Sequence, residues 1–388
     1  MKLFYLTALD ELDREKCGIL GKIRGQITSF KSNGMDVFFG HFYGKSIFKI
    51  ENSSIEKTIK AKNGNTRTRL GSIYRELYSF IITNNIETVY IRFTSLDNKA
   101  IAFYRKLKND GIKVIIEFYS HNLELEAEKT VKRNWSNGQY VQAIKGYISL
   151  NINKHYFSKL KGCIDLIVTT TKVEDMYGVP TINVVNGIDT ASSKVRIKEK
   201  NKFDFNIVSV AMISPWHGYD RVIKGIANYY KNGGTRNILY TVIGDGEEKR
   251  NLENLVEVCG LAEHVVFTGI KLNEELTEYY NVADIALEML AGFRRTKGQI
   301  SSIKMAEYFA KGIPVLYASD SKICDANMSK YCYWVENSDK PVDMNEVIEF
   351  CDKLYRENSE VELSMHNIAK EKFDWTYTMK ELNDFILG

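Results

Sequence analysis

GQISSIKMAEYFAKGIPV, residues 298–315, reads as a loop, a helix and a buried strand in succession. Gly298 opens a turn, and Ser301 or Ser302 can cap a helix start. Ile303, Ala306, Phe309 and Ala310 then recur at helical spacing. Gly312 ends the helix and Pro314 stands just beyond it, the usual stop signal. Ile313–Tyr317 is short, apolar and partly β-branched, as a buried strand is. A helix that begins with unpaired N–H groups beside two hydroxyls and a lysine is a ready anion site. One turn further in, Lys304 and Glu307 fall on the same face. Together they could hold a phosphate and a sugar hydroxyl. They could equally form an i,i+3 ion pair on a capped surface helix.

The same alternation continues upstream of this stretch. Asn206–Ile213 reads as a strand, and Pro215-Trp216-His217-Gly218 as a turn into a helix reaching about Tyr230. Asn237–Ile243 is a strand ending in Gly244-Asp245-Gly246. A helix over 247–259, a strand Val265–Thr268, a helix over 272–281 and a strand Ile285–Met289 complete the run. Downstream, 343–386 is mostly helical, with Phe373-Asp374-Trp375 before a terminal helix.

The first half follows the same rule. Lys2–Thr7 reads as a strand, 8–17 as a polar loop, and Gly18 and Gly21 precede a helix to about Ser32. Met35–Gly40, Thr88–Phe93, Lys113–Tyr119, Cys163–Thr170 and Thr181–Val185 read as strands. Ser46–Ile50 and Ser54–Lys60 suggest a hairpin, and helices are expected over 69–83, 98–109 and 139–160. The highly charged stretch 124–134 reads as a mobile loop. Strands alternating with helices predict an α/β fold with parallel sheets covered on both faces. The polar, charged stretch 190–205 reads as a linker. The expected plan is two doubly wound domains, 1–195 and 204–372, followed by a terminal helix over 373–388.

Composition excludes several classes. The 388 residues are 44% hydrophobic and 26% charged, ordinary for a globular protein. No run of 18 apolar residues offers a membrane span. The leading residues MKLFYLTAL are too short for a secretory core and read as a first strand. Six scattered cysteines form no C-x-x-C pair, which predicts reduced thiols, a cytoplasmic setting and no zinc site. Charge is uneven: residues 1–200 hold 32 Lys and Arg against 20 Asp and Glu, whereas 201–388 hold 21 against 29. A basic first half suits an anionic partner such as a lipid phosphate or a membrane surface, or it is a solvated lysine-rich surface.

Chemistry should gather at the carboxyl ends of parallel strands. IKVIIEFYSHN places Glu117, Tyr119, Ser120, His121 and Asn122 at one such end. CGILGKIRG lacks the G-x-G-x-x-G spacing, so a dinucleotide fingerprint is weakly supported there. Glycines at that turn would still let a ligand approach the backbone.

Taken in order, NGID (186–189), VSVAMISPWHGYDRVIKGI, VIGDGEE, VVFTG, the 298–315 stretch and FDWTYTM resemble the GT-B glycosyltransferases of the large retaining group called family 4. The resemblance covers the second half well and the first half loosely. It implies two Rossmann-like domains facing across a cleft, with the terminal helix crossing back to the first. It also implies sugar transfer from a nucleotide sugar with retained anomeric configuration, no obligatory metal and no cofactor beyond the donor itself. The family's paired carboxylates, with seven residues between them, fall on Gln299 and Glu307, the latter on the ribose hydroxyls. Backbone groups of Ile300, Ser301, Ser302 and Ile303 would face the diphosphate and sugar. Gly18 would approach them from the first domain, and the turn at Gly269 would meet the base. His121 matches a histidine that the family places near the donor sugar.

One departure bears on catalysis. Where the family carries an Arg and a Lys for the diphosphate, this chain has Ala211, Met212 and His217-Gly218. Lys304 is the expected substitute, with Arg294, Arg295 or Lys297 beside it and His217 contributing if protonated. Some bacterial polysaccharide transferases are similar in this Arg/Lys-rich loop and S-S-x-K segment. The expected donor is UDP- or GDP-linked, and the acceptor a glycan or lipid-linked glycan at the inner membrane face, with no nucleic acid involved. Two other readings stay open: a non-catalytic GT-B-shaped binding or chaperone subunit, and a GT-B epimerase, which the missing carboxylate set disfavours.

Overall fold

The computed structural model describes residues 1–13, 17–118, 123–170, 173–294, 303–318 and 324–388. They fall into two compact units. One comprises Met1–Gly187 with Trp375–Gly388, and the other the described residues from Ile188 to Asp374.

The first unit holds strands β1 (Lys2–Asp10), β2 (Asp36–Tyr43), β3 (Ile47–Glu51), β4 (Glu56–Lys60), β5 (Thr88–Arg92), β6 (Lys113–Glu117), β7 (Leu166–Thr169), β8 (Asp175–Met176) and β9 (Val179–Asn183). Their spatial order is β4-β3-β2-β1-β5-β6-β7-β9-β8. The interior pairs from β2 to β9 are parallel, and β3, β4 and β8 add antiparallel edges. Period-2 alternation divides the apolar residues between the two faces. Phe4, Leu6, Val89, Ile91 and Val114 pack on one side. Leu3, Tyr5, Tyr90 and Ile115 pack on the other.

Helices α1 (Cys17–Ser32), α2 (Thr66–Gly71), α3 (Tyr74–Thr83), α4 (Asn98–Asn109), α5 (Leu123–Ser136) and α6 (Tyr140–Phe157) cover this sheet. Several differ from the sequence expectation. Gly18 and Gly21 lie within α1 rather than before it. Both are exposed, with open space above them. The buried face Leu20, Ile23, Ile27 and Phe30 holds that helix together despite the glycines. The helix expected over 69–83 starts earlier, where Asn65 Oδ1 accepts from Thr68 N at 3.0 Å, and it breaks at Ser72. The charged stretch 124–134 is helical, not a loop. Leu, Glu, Ala and Lys are strong helix formers, and Glu128 on α5 receives Lys154 Nζ of α6 at 2.6 Å.

The second unit holds β10 (Phe205–Val210), α7 (Tyr219–Lys231), β11 (Ile238–Ile243), α8 (Lys249–Val258), β12 (Val265–Gly269), α9 (Thr277–Val282), β13 (Ile285–Leu287), α10 (Ile303–Lys311), β14 (Val315–Ala318), β15 (Cys332–Val335), α11 (Met344–Glu357) and α12 (Val361–Lys372). Its sheet runs β12-β11-β10-β13-β14-β15, with every pair parallel. Strand β15 was not foreseen: its sequence CYWV is four residues long. The expected linker is anchored here, because buried Arg196 donates to Tyr280 O at 3.0 Å and pairs with Glu362 at 3.2 Å.

After Asp374 the chain returns to the first unit as α13 (Trp375–Thr378) and α14 (Lys380–Leu387). Trp375, Met379, Leu382 and Ile386 complete its α1-side core. Gly25 of α1 explains the close seating of Trp375, since a Cβ there would fall 1.9 Å from the indole nitrogen. Among the described residues, no helix is long and apolar enough to cross a membrane.

Candidate functional site

In the second sheet, β10 pairs with β11 on one side and β13 on the other. The chain therefore reverses its winding direction between β10 and β13. The carboxyl ends of strands at such a switch point form the ligand crevice of open α/β sheets. The loops leaving β10 and β13 meet there. Leu290 N donates to His217 O at 3.0 Å, and Ala291 N to Trp216 O at 3.1 Å.

Two glycines permit this approach. Gly218 sits at φ 66°, and a Cβ on it would lie 3.0 Å from Ala291 N. Gly244 sits at φ 130°, and a Cβ there would fall 1.9 Å from Ala211 O. The Gly244-Asp245-Gly246 segment thus lets the β11 loop press against the β10 loop. At the next strand, Gly269 O accepts from Gly244 N at 2.8 Å, and the space above Gly269 is open.

His217, at the end of the β10 turn, faces inward. Its buried ring accepts the Ser214 N–H at Nδ1, 3.1 Å away, and stacks on Tyr219 with centroids 5.3 Å apart. An Nδ1 that accepts a backbone N–H carries a lone pair, and a proton there would set donor against donor. The residue closes a short 3-10 turn, Pro215–His217. Met212, where the family resemblance implies a cation, is 69% exposed.

Arg294 is also committed elsewhere. Nη1 reaches Asp220 Oδ1 at 2.7 Å and Pro215 O at 3.0 Å, and Nη2 reaches Asp220 Oδ2 at 3.1 Å. Nε reaches Asp339 Oδ1 at 2.9 Å, with Nη2 on the same oxygen. Burial would raise the Asp220 carboxyl, but its bonds to Arg294 and Lys224 outweigh that and hold it below the usual range. Arg294 therefore clamps the β10 turn to the start of α7. Each edge of the guanidinium faces a carboxylate or carbonyl.

Helix α10 begins at the carboxyl edge, since it links the parallel strands β13 and β14. Ile303 and Lys304 are its first two residues, both half-buried. Glu307 follows one turn later and is half-buried too. Its Oε1 accepts from Tyr280 Oη at 2.8 Å. Burial raises this carboxyl above its ordinary range, against a lowering pull from Tyr280 and then Lys311. Tyr280, on α9, went unnoticed in the sequence, where nothing links it to a residue 27 positions on. Gln299, Ile300, Ser301, Ser302, Arg295 and Lys297 lie outside the described residues.

The first unit has its own polar cluster at a carboxyl edge. Glu117 ends β6 and Arg92 ends β5, with Arg92 Nη1 3.0 Å from Glu117 Oε1. Lys22 of α1 reaches the same oxygen at 2.7 Å. Tyr5 Oη donates to Gln26 Oε1 at 2.7 Å and lies 3.4 Å from Glu117 Oε2. Burial pushes the Glu117 carboxyl up, but Lys22 and Arg92 more than offset it and hold it at about 2. Two cations around one carboxylate leave this buried cluster with a net positive charge. Sequence reading named Glu117 but missed Lys22 and Arg92; a lysine and a glutamine four apart beside the apolar stripe of α1 were the available signal. His121 lies outside the described residues, and Gly18 is exposed in the first turn of α1. Among the described residues, no group of three or more His, Cys, Asp or Glu is placed to hold a metal.

Two parallel Rossmann-like units, with a terminal helix returning to the first, are the GT-B fold. The solved structure of Anabaena Alr3699/HepE in complex with UDP shares it, with a TM-score of 0.60 over 100% of this chain and 99% of that one. At 12% identity that is a likeness of fold alone. Residues 191–351 match the family model Glycosyl transferases group 1. Alpha-monoglucosyldiacylglycerol synthase of Acholeplasma laidlawii is 24% identical over 248 residues, 56% of this chain and 60% of that protein. Amylovoran biosynthesis glycosyltransferase AmsK of Erwinia amylovora is 28% identical over 145 residues, 37% and 35% of the two chains. The match thus spans less than two thirds of either relative's length.

Proposed function

We propose that the chain is a glycosyltransferase that moves a hexose or N-acetylhexosamine from a UDP- or GDP-sugar to a glycan or lipid-linked acceptor in bacterial surface polysaccharide or glycolipid synthesis. The observation that carries this reading is Lys304 and Glu307 in the first turns of α10, at the carboxyl edge of the second sheet and inside the matched domain. HepE's complexes with UDP and UDP-glucose and the glycan and lipid products in the relatives' names support the choice of donor and acceptor classes.

On this reading Lys304 and the N–H groups from Ile300 to Ile303 hold the diphosphate, and Glu307 holds the ribose hydroxyls. Gln299 and His121 meet the donor sugar, and Gly269 borders the base. The bond from the anomeric carbon to the diphosphate oxygen breaks, and the acceptor oxygen bonds to the same face. The acceptor's proton passes to the departing oxygen, so configuration is retained without a protein base or a metal. The protein works at the cytoplasmic face, with peripheral membrane contact through its basic first domain.

Calorimetric titration with UDP and GDP tests the donor site. We expect one of them to bind, Glu307→Ala to weaken it at least tenfold, and Lys304→Ala to lower donor turnover by ~10²–10³, the usual loss of a transition-state charge partner. Absence of binding by either nucleotide at millimolar concentration overturns the reading. Binding without turnover selects the non-catalytic subunit, which the ion-paired Arg294 favours.

A further inference from the structure

Helices α5 and α6 form an antiparallel hairpin in the first unit, turning at Gly138 (φ 73°). One face of α6 accounts for its docking. Ala143, Leu150 and Phe157, seven residues apart, are buried. Gly146 faces Val131 of α5, Arg67 reaches Asn153 at 2.8 Å, and Lys154 pairs with Glu128.

The opposite face is apolar as well. Tyr140, Val141, Ile144, Tyr147 and Ile148 stand at i, i+1, i+4, i+7 and i+8, and with Trp135 at the end of α5 they are 51–61% exposed. Trp135 packs edge-on against Tyr140, with centroids 5.2 Å apart. Single exposed apolar side chains are normal, but a continuous stripe marks an interaction surface. A helix apolar on both faces needs a second apolar medium.

Charge identifies that medium. Residues 129–164 contain seven Lys and Arg and no Asp or Glu. Lys132 and Lys145, beside the stripe, are exposed. A second copy of this chain would bring like charges face to face, which opposes pairing. An anionic bilayer instead attracts the flanks and takes up the stripe, and Trp and Tyr favour the headgroup level.

We propose that the Tyr140–Ile148 face of α6, with Trp135, is a docking surface for anionic lipid bilayers. This names the surface for the peripheral contact proposed above. It can be tested without turnover or nucleotide, so its failure and that of the donor-site reading are separable.

The test is flotation of the full chain with vesicles of phosphatidylcholine alone or with about one third phosphatidylglycerol. Binding is expected to the anionic vesicles only and to fall at about 0.5 M salt, where charges are screened over a few ångströms. Ile144→Ser/Tyr147→Ser/Ile148→Ser should weaken it at least tenfold with an unchanged melting temperature, since these side chains touch solvent. Lys132→Gln and Lys145→Gln should each weaken it about fivefold. The blue shift of tryptophan emission on binding should disappear in Trp135→Phe. Equal binding to neutral vesicles, no binding, or undiminished binding by the triple variant overturns the proposal. So does a wild-type dimer that the triple variant turns into a monomer, which would assign the face to a second copy.

Discussion

Arg294→Ala separates a structural clamp from a diphosphate ligand. In the structure the guanidinium forks onto Asp220 at 2.7 and 3.1 Å and caps Pro215 O at 3.0 Å. Asp220 is 16% exposed, so that pair works in a partly dry setting; Asp339 is 69% exposed and its bond counts for little. Truncation removes two charge-assisted bonds but leaves Asp220 with Lys224 at 3.0 Å. We put the loss at about 2 kcal/mol. For a unit of this size that lowers the melting temperature by about 4–8 °C. Arg294→Lys keeps the charge but not the fork, so it should lose most of the same stability. Calorimetric scanning with parallel titration by UDP and GDP is the assay. Under the clamp reading, both variants melt lower and nucleotide affinity stays within about threefold, below ~0.7 kcal/mol. A tenfold affinity loss in Arg294→Ala, restored by Arg294→Lys and with melting unchanged, would refute it and return Arg294 to the diphosphate.

Two further predictions follow from the buried carboxylates. Glu117→Gln leaves Lys22 and Arg92 buried without a counter-charge and should cost about 3–5 kcal/mol, seen as a large fall in melting temperature; a change under ~0.5 kcal/mol would contradict the cluster's role. Because the folded-state carboxyl is held at about 2, below its ordinary 4.5, Glu117 contributes its full stability above pH 4.5 and loses it as pH falls toward 2. Acid titration of Glu117→Gln should therefore show a shallower slope in that window. Glu307 has the opposite sign: its carboxyl is raised by burial, so its protonated form is favoured in the fold and that advantage fades as pH rises through the raised value. Ribose hydroxyls bind best to the ionised form, so nucleotide affinity should rise with pH above 4.5, and Glu307→Gln should flatten the profile. Affinity independent of pH in the wild type would count against Glu307 as the ribose ligand.

Periodicity carried the fold into view. The stretch 303–315, the strand ends at Gly244 and Gly269 and the terminal segment from Phe373 are all local patterns, and local patterns are what hydrophobic spacing encodes. The errors share one physical cause, which is that pairing partners lie far along the chain. Residues 124–134 looked like a loop because their charges suggested solvation; Lys154, which donates to Glu128, stands 26 positions away. Arg294 looked available because Asp220 and Asp339 lie 74 and 45 residues distant. His217 looked ionisable, yet Ser214 three residues earlier turns its N–H onto the ring, a geometry no spacing rule specifies. Glycines were legible as turns but not as packing: Gly18 and Gly21 went into a helix, while Gly25, unremarked, makes room for Trp375.

These corrections concentrate the electrostatic demand on one place. A departing diphosphate gains negative charge as the sugar leaves, so groups already fixed beside it stabilise the transition state more than the bound donor. Met212 brings no charge, His217 holds its lone pair toward Ser214, and Arg294 is neutralised by Asp220. Lys304 stands at the second position of α10. The helix start adds about half a positive charge there, and its N–H groups point the same way. On the proposed reading Lys304 and the helix start act on the same oxygens, so their contributions should couple rather than add. On the proposed reading, Lys304→Ala therefore costs more in turnover than in donor affinity. The N–H groups still bind the ground-state diphosphate, while the charge that develops later has lost its fixed partner.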